Sequence, residues 1–300
     1  MLGSYGILLV SAAGVAVAPI LVRISEVDPT ATLWLRMCIA LVILLVPLGS
    51  SREQASSEPT DQERPRPAAI RLGIVLTGLL FCCDMFANHW AVRFTSVANC
   101  MLLVNLTPVF VIAIAYVFLR ERQSMIGVAG VVVAVGGALV LIGASYTGGR
   151  DHLVGDGLAL SSALIYALYM IMTKGLRRWV SARRILKWHT GLSCLFLIPL
   201  VAGSHSQVFP VTGQGWAIVI GLAVITQLIG HGLMTYAMKR LSAGIASMST
   251  LVIPVLSSAM AWAFLGERIE PHHLVGGVLV LVGVALYALH DRRARSGKVA

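Results

Sequence analysis

Charged side chains are scarce in this sequence. Only 12% of its 300 residues are Asp, Glu, Lys or Arg, whereas soluble domains carry about 25%. Hydrophobic residues make up 57%, and the mean hydropathy is +0.85. A surface of this kind is unsuited to water, so the composition excludes an ordinary soluble domain and predicts a protein of the lipid bilayer.

Motifs for metal, redox or nucleotide chemistry are also missing. No pair of cysteines has CxxC or zinc-finger spacing, and no P-loop or HExxH segment is present. We therefore predict no metal site, no disulfide, no cofactor and no direct use of ATP. The five cysteines all lie in apolar runs: Cys38, Cys82, Cys83, Cys100 and Cys194.

The net charge of +10 does not indicate a nucleic-acid partner. The basic residues lie in short loops between apolar runs, and in membrane proteins such an excess marks the cytoplasmic face. The first apolar run lacks a basic n-region and nine more follow, so we interpret it as a retained span rather than a signal peptide.

Ten runs have the length and apolarity of a membrane-crossing helix, which needs about 20 residues. Backbone in lipid must be paired internally, so all ten are predicted to be helices. This gives an all-α integral membrane fold. The runs, numbered as spans 1 to 10, are 4–22, 32–49, 70–90, 95–118, 125–144, 156–174, 185–203, 215–237, 243–264 and 273–290.

The distribution of Lys and Arg predicts the orientation. With both termini in the cytoplasm, most of the 23 basic residues fall on the inner side, as expected for a protein of the cell's inner membrane. The polar stretch 50–69, rich in Ser, Glu, Arg and Pro, is predicted to be a disordered cytoplasmic loop. Arg36 is placed inside span 2, near its outer end.

An internal repeat divides the chain into residues 1–149 and 150–300, and the second half ends in a basic tail. A shift of 146 residues aligns Pro108 with Pro254 and Glu121 with Glu267. In the N-terminal spans of each half the shift grows to 150–152 residues. Further aligned pairs are Ser96 with Ser242, Gly130 with Gly276, Gly137 with Gly283 and Ser11 with Ser161.

Five spans in each half make the second half enter the membrane the opposite way up. The loops agree, because the nearly neutral loop after span 1 corresponds to the strongly basic loop after span 6. Two inverted halves can exchange conformations, so that the protein opens inward in one state and outward in the mirror state. A substrate site is then expected between the halves, near the bilayer midplane.

Residues 84–142 and 226–289 resemble the two EamA modules of the drug/metabolite transporter superfamily. The resemblance rests on the mid-helix Pro108 and Pro254, the helix-end Glu121 and Glu267, and the glycines that follow. It implies a ten-helix bundle with a cavity lined mainly by spans 1, 3, 4, 6, 8 and 9, and with spans 5 and 10 at the periphery. It also implies export or exchange of amino acids or other small organic metabolites.

Two ionisable residues inside spans are the first candidates for the site. Asp84 in span 3 is interpreted either as a binder of a cationic group or proton carrier, or as a locally paired residue near the outer third. His231 in span 8 aligns with Met85, beside Asp84. It is interpreted either as a proton carrier or gate, or as a core histidine bonded to a carbonyl.

Further candidates are polar or aromatic residues within spans. Each also has a structural interpretation, interhelical hydrogen bonding for the polar residues and packing for the tyrosines. Pro108 and Pro254 are predicted to kink spans 4 and 9 and to free a carbonyl one turn earlier. The predicted cavity residues are Asn88, Asn99, Asn105, Tyr166, Tyr169, Gln227, Ser247 and Thr250.

The sequence thus predicts a secondary transporter of a small-molecule substrate. Coupling to protons, exchange and facilitation remain open, as do the monomeric and homodimeric states. A membrane-embedded enzyme is the first alternative, but the spans carry no clustered ligands or serine–base constellation. A non-transporting scaffold is the second, and it gives no reason for an inverted duplication.

Overall fold

The computed structural model describes residues 2–46, 65–119, 124–143, 153–204, 207–266 and 271–296. Throughout these ranges the regular secondary structure is helical. The helices are α1 (Leu2–Ala16), α2 (Ala18–Arg23), α3 (Pro29–Leu45), α4 (Pro67–Phe94), α5 (Val97–Val104), α6 (Thr107–Leu119), α7 (Met125–Gly143), α8 (Leu153–Leu176), α9 (Ala182–Ala202), α10 (Gly213–Gly221), a π-helix (Leu222–His231), α11 (Gly232–Ala237), α12 (Ala243–Thr250), α13 (Val252–Leu265) and α14 (Pro271–Ser296).

Eight of the predicted runs coincide with segments that are long and apolar enough to cross a membrane. The other two, spans 2 and 5, coincide with the shorter apolar helices Pro29–Leu45 and Met125–Leu141. Large apolar side chains are exposed around the bundle, including Phe118 and Phe264. Such a surface belongs in lipid, so the chain is a multi-pass membrane protein.

The predicted cytoplasmic loop is shorter than the sequence indicated. Residues 67–69 were included in the loop, but α4 begins at Pro67, where a proline at the first helical position has no amide hydrogen to leave unpaired. Residues 50–64 of that loop lie outside the described residues, as do Glu121 and Glu267. The basic tail is partly helical, since α14 continues to Ser296 and only 297–300 lie outside.

Spans 4 and 9 are interrupted at aligned positions. Ser96 and Ser242 cap the first segments, α5 and α12, by accepting a hydrogen bond from the backbone amide three residues later. These segments end at Val104 and Thr250, and the helices resume at Thr107 and Val252. Both breaks come just before Pro108 and Pro254, whose rings are incompatible with a helical carbonyl one turn earlier.

The helices pack in matching pairs. α1 packs against the π-helix and α11, while α8 packs against α4. In span numbers, span 1 meets span 8 and span 6 meets span 3. α3 packs against α9, α6 against α12, and α7 against α14. Each of these last contacts joins a span of the first half to its aligned counterpart in the second.

Helices α7 and α14 touch through glycine, as the shared spacing predicts. A Cβ atom added to Gly130 would lie 2.8 Å from the Gly283 carbonyl oxygen. One added to Gly137 would lie 2.8 Å from the Gly276 carbonyl oxygen. Because any side chain there would collide with the opposite backbone, the glycines permit the direct contact of the two helices.

Candidate functional site

Asp84 lies buried in the interior of the bundle. Only 4% of the residue is exposed, and the Ser162 hydroxyl of α8 donates a 2.6 Å hydrogen bond to its Oδ1. The carboxylate also interacts electrostatically with Tyr166 and Tyr169 of the same helix. A carboxylate at this depth is costly to bury, which is why such residues in membrane proteins tend to be functional.

Ring contacts extend from the neighbourhood of Asp84 across four helices, α4, α8, α9 and the π-helix. Tyr166 and Tyr169 stack at 5.5 Å between ring centres. The Tyr169 hydroxyl and His189 Nδ1 share a 3.1 Å hydrogen bond. Phe81 of α4 stacks on His189 at 4.4 Å between ring centres and forms a T-shaped contact with His231 at 5.6 Å. Both imidazoles therefore contact one phenyl ring.

Span 8 is locally a π-helix where it meets this group of rings. Gln227 and His231 lie in its last turns, four residues apart and hence on one face. The Gln227 amide donates a 3.1 Å hydrogen bond to Thr190 of α9, next to His189. The wide π turn is rare and recurs at functional sites. Here the Gly230 carbonyl accepts the Ser11 hydroxyl of α1 at 2.7 Å.

Arg36 completes this group of residues from α3. The sequence placed it near the outer end of span 2, but α3 runs from Pro29 to Leu45 and Arg36 stands one residue from its middle. The side chain is buried and interacts electrostatically with His231. Compared with the predicted run 32–49, α3 begins three residues earlier and ends at Leu45, so its middle lies closer to Arg36.

We call these residues the central cluster. They come from α3 and α4 on one side of the predicted boundary, and from α8, α9 and the π-helix on the other. A cation, a carboxylate, imidazoles, an amide and aromatic faces together can bind a small polar molecule by charge, hydrogen bonding and stacking. The central cluster consists of Arg36, Phe81, Asp84, Tyr166, Tyr169, His189, Gln227 and His231.

Other predicted site residues use their hydrogen bonds elsewhere. Asn99 pairs with Ser96 and with Asp156 at the start of α8. Asn105 donates to the Met101 carbonyl four residues earlier. Ser247 and Thr250 likewise donate to carbonyls three residues earlier in their own helix. Hydroxyls and amides that return to the preceding turn are a common alternative to contacts between helices.

Asn88 is half-buried, one turn beyond Asp84 in α4. The sequence analysis did not identify His189, Phe81, Ser162 or Thr190. His189 belongs to span 7, which the family resemblance did not count among the cavity-lining spans. Its signal was a lone imidazole eight residues into α9, with Thr190 and Ser193 on the same side. No group of three potential metal ligands occurs among the residues that the structure describes.

Side chains of opposite charge cap the two ends of span 8. At its N-terminal end, Glu26 from the loop after α2 accepts hydrogen bonds from the Val211 and Thr212 amides. These bonds, chiefly that from Thr212, lower the pKa of the Glu26 carboxyl. At the C-terminal end, Arg177 and Lys174 donate to the Thr235 and Met238 carbonyls. Acid at the N-terminus and base at the C-terminus both complement the helix dipole.

Two known proteins with similar sequences carry the names of transporters. The chain is 30% identical over 200 residues to a protein of Streptantibioticus cattleyicolor named a probable terminal-alkyne amino-acid exporter, covering 66% of each chain. It is 24% identical over 253 residues to a probable amino-acid metabolite efflux pump of Salmonella typhimurium, covering 79% of this chain and 82% of that one.

A solved crystal structure has the same fold. It aligns with a TM-score of 0.78 and 18% sequence identity, over 97% of this chain and 99% of the other. The sequence model of one family, described as the EamA-like transporter family, matches residues 3–143 and again residues 153–289. Since these matches cover most of the molecule, the chain belongs to the EamA-like transporter family.

Proposed function

We propose that this transporter exports amino acids or closely related small organic solutes across the inner membrane. In this proposal two inverted halves, residues 1–149 and 150–300, alternate in access around the central cluster, and both termini are cytoplasmic. The observation that carries the proposal is the burial of Asp84, Arg36 and His189 at helix contacts between the halves, with His231 half-buried beside them. A scaffold has no need of ionisable side chains whose burial in the membrane is energetically unfavourable.

The ten-span arrangement is supported by the two shorter helices. α3 has 17 residues and α7 has 19, which correspond to about 25 and 28 Å of helix. The usual range for a membrane-crossing helix begins at about 17 residues. Both helices pack lengthwise against long spans, α3 on α9 and α7 on α14, as members of one bundle do.

The contacts between α7 and α14 support the inverted repeat. Gly130 aligns with Gly276, and Gly137 aligns with Gly283. In the structure Gly130 meets Gly283 and Gly137 meets Gly276. Such an exchange of partners, in which i meets j′ and j meets i′, is the signature of two-fold symmetry. The double match of one family model to the two halves agrees with it.

The solute class is supported by the names of the similar proteins and by the chemistry of the central cluster. The two relatives described above carry names for amino-acid export and amino-acid metabolite efflux. Amino acids carry one positive and one negative group, and the central cluster offers Asp84 and Arg36 of the opposite charges. The stacked Tyr166 and Tyr169 add a face suited to an apolar or aromatic side chain.

Two roles for Asp84 fit this proposal. Asp84 can bind the cationic group of the solute, or it can carry a coupling proton. Ser162 donates to one carboxylate oxygen, Oδ1, and the second oxygen is then the natural site for the solute or the proton. Measuring counterflow separately from net efflux distinguishes the roles, because exchange of labelled for unlabelled solute needs binding but no net movement of protons.

The test is efflux of labelled amino acids and metabolites from bacterial cells that express either the wild type or Asp84→Asn. We expect the wild type to export one solute class and the variant to lose at least about 90% of that efflux, since a neutral amide cannot replace a buried charge partner. If Asp84 carries a proton, counterflow survives while net efflux is lost. Asp28→Asn is the matched control, because Asn also caps the N-terminus of α3.

Efflux unchanged in Asp84→Asn would leave the transporter in place and make Asp84 a structural residue. No export by a folded wild type would contradict the proposal. Labelling of Tyr166→Cys then separates a scaffold or enzyme from a transporter with an untested solute. Alternating access exposes this half-buried position to polar thiol reagents from both sides of the membrane, beyond the labelling that wild-type cysteines give.

A further inference from the structure

The guanidinium of Arg36 is the least compensated charge of the central cluster. The residue is 9% exposed, and its Nε has no hydrogen-bond partner among the described residues. Among the described residues, no carboxylate offsets the burial of this charge. Arg remains protonated in proteins, and a buried cation without a partner is strongly unfavourable. The fold therefore keeps a charge in place that it does not itself neutralise.

Two further polar atoms of the central cluster lack partners. Gln227 Oε1 and His189 Nε2 are both buried and form no hydrogen bond to the described residues. The Gln227 amide group is satisfied on its nitrogen side by Thr190, so its oxygen is held in a fixed direction. Native proteins leave few buried polar atoms unpaired, and each of them calls for an explanation.

These unpaired atoms come from helices that are held together. α3 packs against the π-helix, and it is fixed on α9 by a 3.2 Å hydrogen bond from Trp34 Nε1 to the Cys194 carbonyl. Arg36 acts electrostatically on His231, and Gln227 lies one turn from His231 on the same face of the π-helix. Arg36 and Gln227 thus border one region between the two halves.

We propose that Arg36 binds the carboxylate of the transported molecule and that Gln227 Oε1 accepts a hydrogen bond from its ammonium or amide group. This assignment rests on the proposed transport function and narrows its substrates to carboxylate-bearing solutes. A planar guanidinium holds a carboxylate through two parallel hydrogen bonds, which a point charge does not reproduce. The bound carboxylate then supplies the counter-charge that the protein itself lacks.

The test compares solutes that differ only in the carboxylate. Purified protein in liposomes is assayed for counterflow of labelled leucine or phenylalanine, with competition by the matching amino-acid amides and decarboxylated amines. We expect the amide and the amine to compete at least about 30-fold more weakly than the acid, the usual consequence of removing one partner from a buried charged pair. Equal competition by acid, amide and amine would overturn the assignment while leaving the transport function intact.

Variants of Arg36 give a second readout. Arg36→Gln should weaken binding of the acid by at least about 30-fold and abolish the preference for acid over amide. Arg36→Lys should retain part of the preference, since lysine keeps the charge but lacks the paired N–H donors of the guanidinium. Arg71→Gln, at an exposed position of α4, is the matched control and should behave as wild type.

The outcomes are distinguishable. If the wild type transports no amino acid or metabolite, the proposed function fails and the assignment fails with it. If it transports leucine or phenylalanine and Arg36→Gln keeps the wild-type affinity and the preference for acid, only the assignment fails. Should Arg36→Gln not fold, the competition series in the wild-type protein decides the question without a variant.

Discussion

Replacing Gly137 by alanine tests how closely α7 and α14 approach each other. A Cβ atom at this position would lie 2.6 Å from the Val280 nitrogen and 2.7 Å from the Leu279 Cβ. Non-bonded heavy atoms prefer about 3.5–4.0 Å, so the helices must separate by roughly 1 Å. Two of the obstructing atoms, the Val280 nitrogen and the Gly276 carbonyl oxygen, belong to the backbone, and no side-chain rotation can relieve the collision.

The magnitude follows from two opposing effects. Alanine favours a helix over glycine by about 1 kcal/mol, whereas overpacking a close contact costs about 1–3 kcal/mol. Substitution of the neighbouring Gly136 isolates the propensity effect from the overpacking effect, because a Cβ atom there meets nothing within 4 Å. Gly136→Ala therefore has the propensity gain alone, and we expect it to exceed Gly137→Ala in stability by about 1–3 kcal/mol.

The assay is thermal unfolding of both variants and the wild type in the same mild detergent, followed by transport in liposomes. We expect the order Gly136→Ala, wild type, Gly137→Ala in decreasing stability. Gly276→Ala tests the same contact from α14, since a Cβ atom there would lie 2.7 Å from the Gly137 carbonyl oxygen. If Gly137→Ala and Gly136→Ala have the same melting temperature, the two backbones are not in direct contact. The support that this contact gives to the two-fold relation is then lost.

Two further predictions concern the caps of span 8. Glu26 has a lowered pKa in the folded protein, so its stabilisation is fully present above its ordinary value of 4.5 and is lost as the pH falls through the folded value. The difference in melting temperature between wild type and Glu26→Gln should therefore shrink on acidification, and a constant difference would contradict the cap. Arg177→Met removes the side-chain donor to the Thr235 and Val180 carbonyls. It should lower the free energy of unfolding by about 1–3 kcal/mol for each buried carbonyl left unpaired. The exposed Arg178→Met should change stability little, and equal losses in the two variants would refute this account.

Helix positions could be predicted because apolarity is a property of each residue along the chain. A long apolar run can pair its own backbone in lipid only as a helix, and all ten predicted runs coincide with helices. The breaks near residues 105 and 251 follow from Pro108 and Pro254, since a proline ring excludes the preceding helical turn wherever it occurs. The close approach at Gly130 and Gly137 follows likewise from their common face.

The composition of the central cluster could be predicted only in part. Asp84, Tyr166, Tyr169, Gln227 and His231 were identified because polar and aromatic side chains stand out in apolar spans. The eight-residue stretch of α12 shows the limit of that rule, because its hydroxyls return to their own backbone. Residue type shows that a side chain needs a partner, and it does not show which one.

The sequence by itself determined the helices, the internal repeat, the breaks at Pro108 and Pro254 and the buried carboxylate. The tertiary structure decided which helices meet, and therefore that α3 and α9 bring Arg36 and His189 to the same region as Asp84 and Phe81. The physical reason is that contacts between helices depend on the rotation and offset of each helix against its neighbours. These are set by the packing of the whole bundle, and no local stretch of residues encodes them.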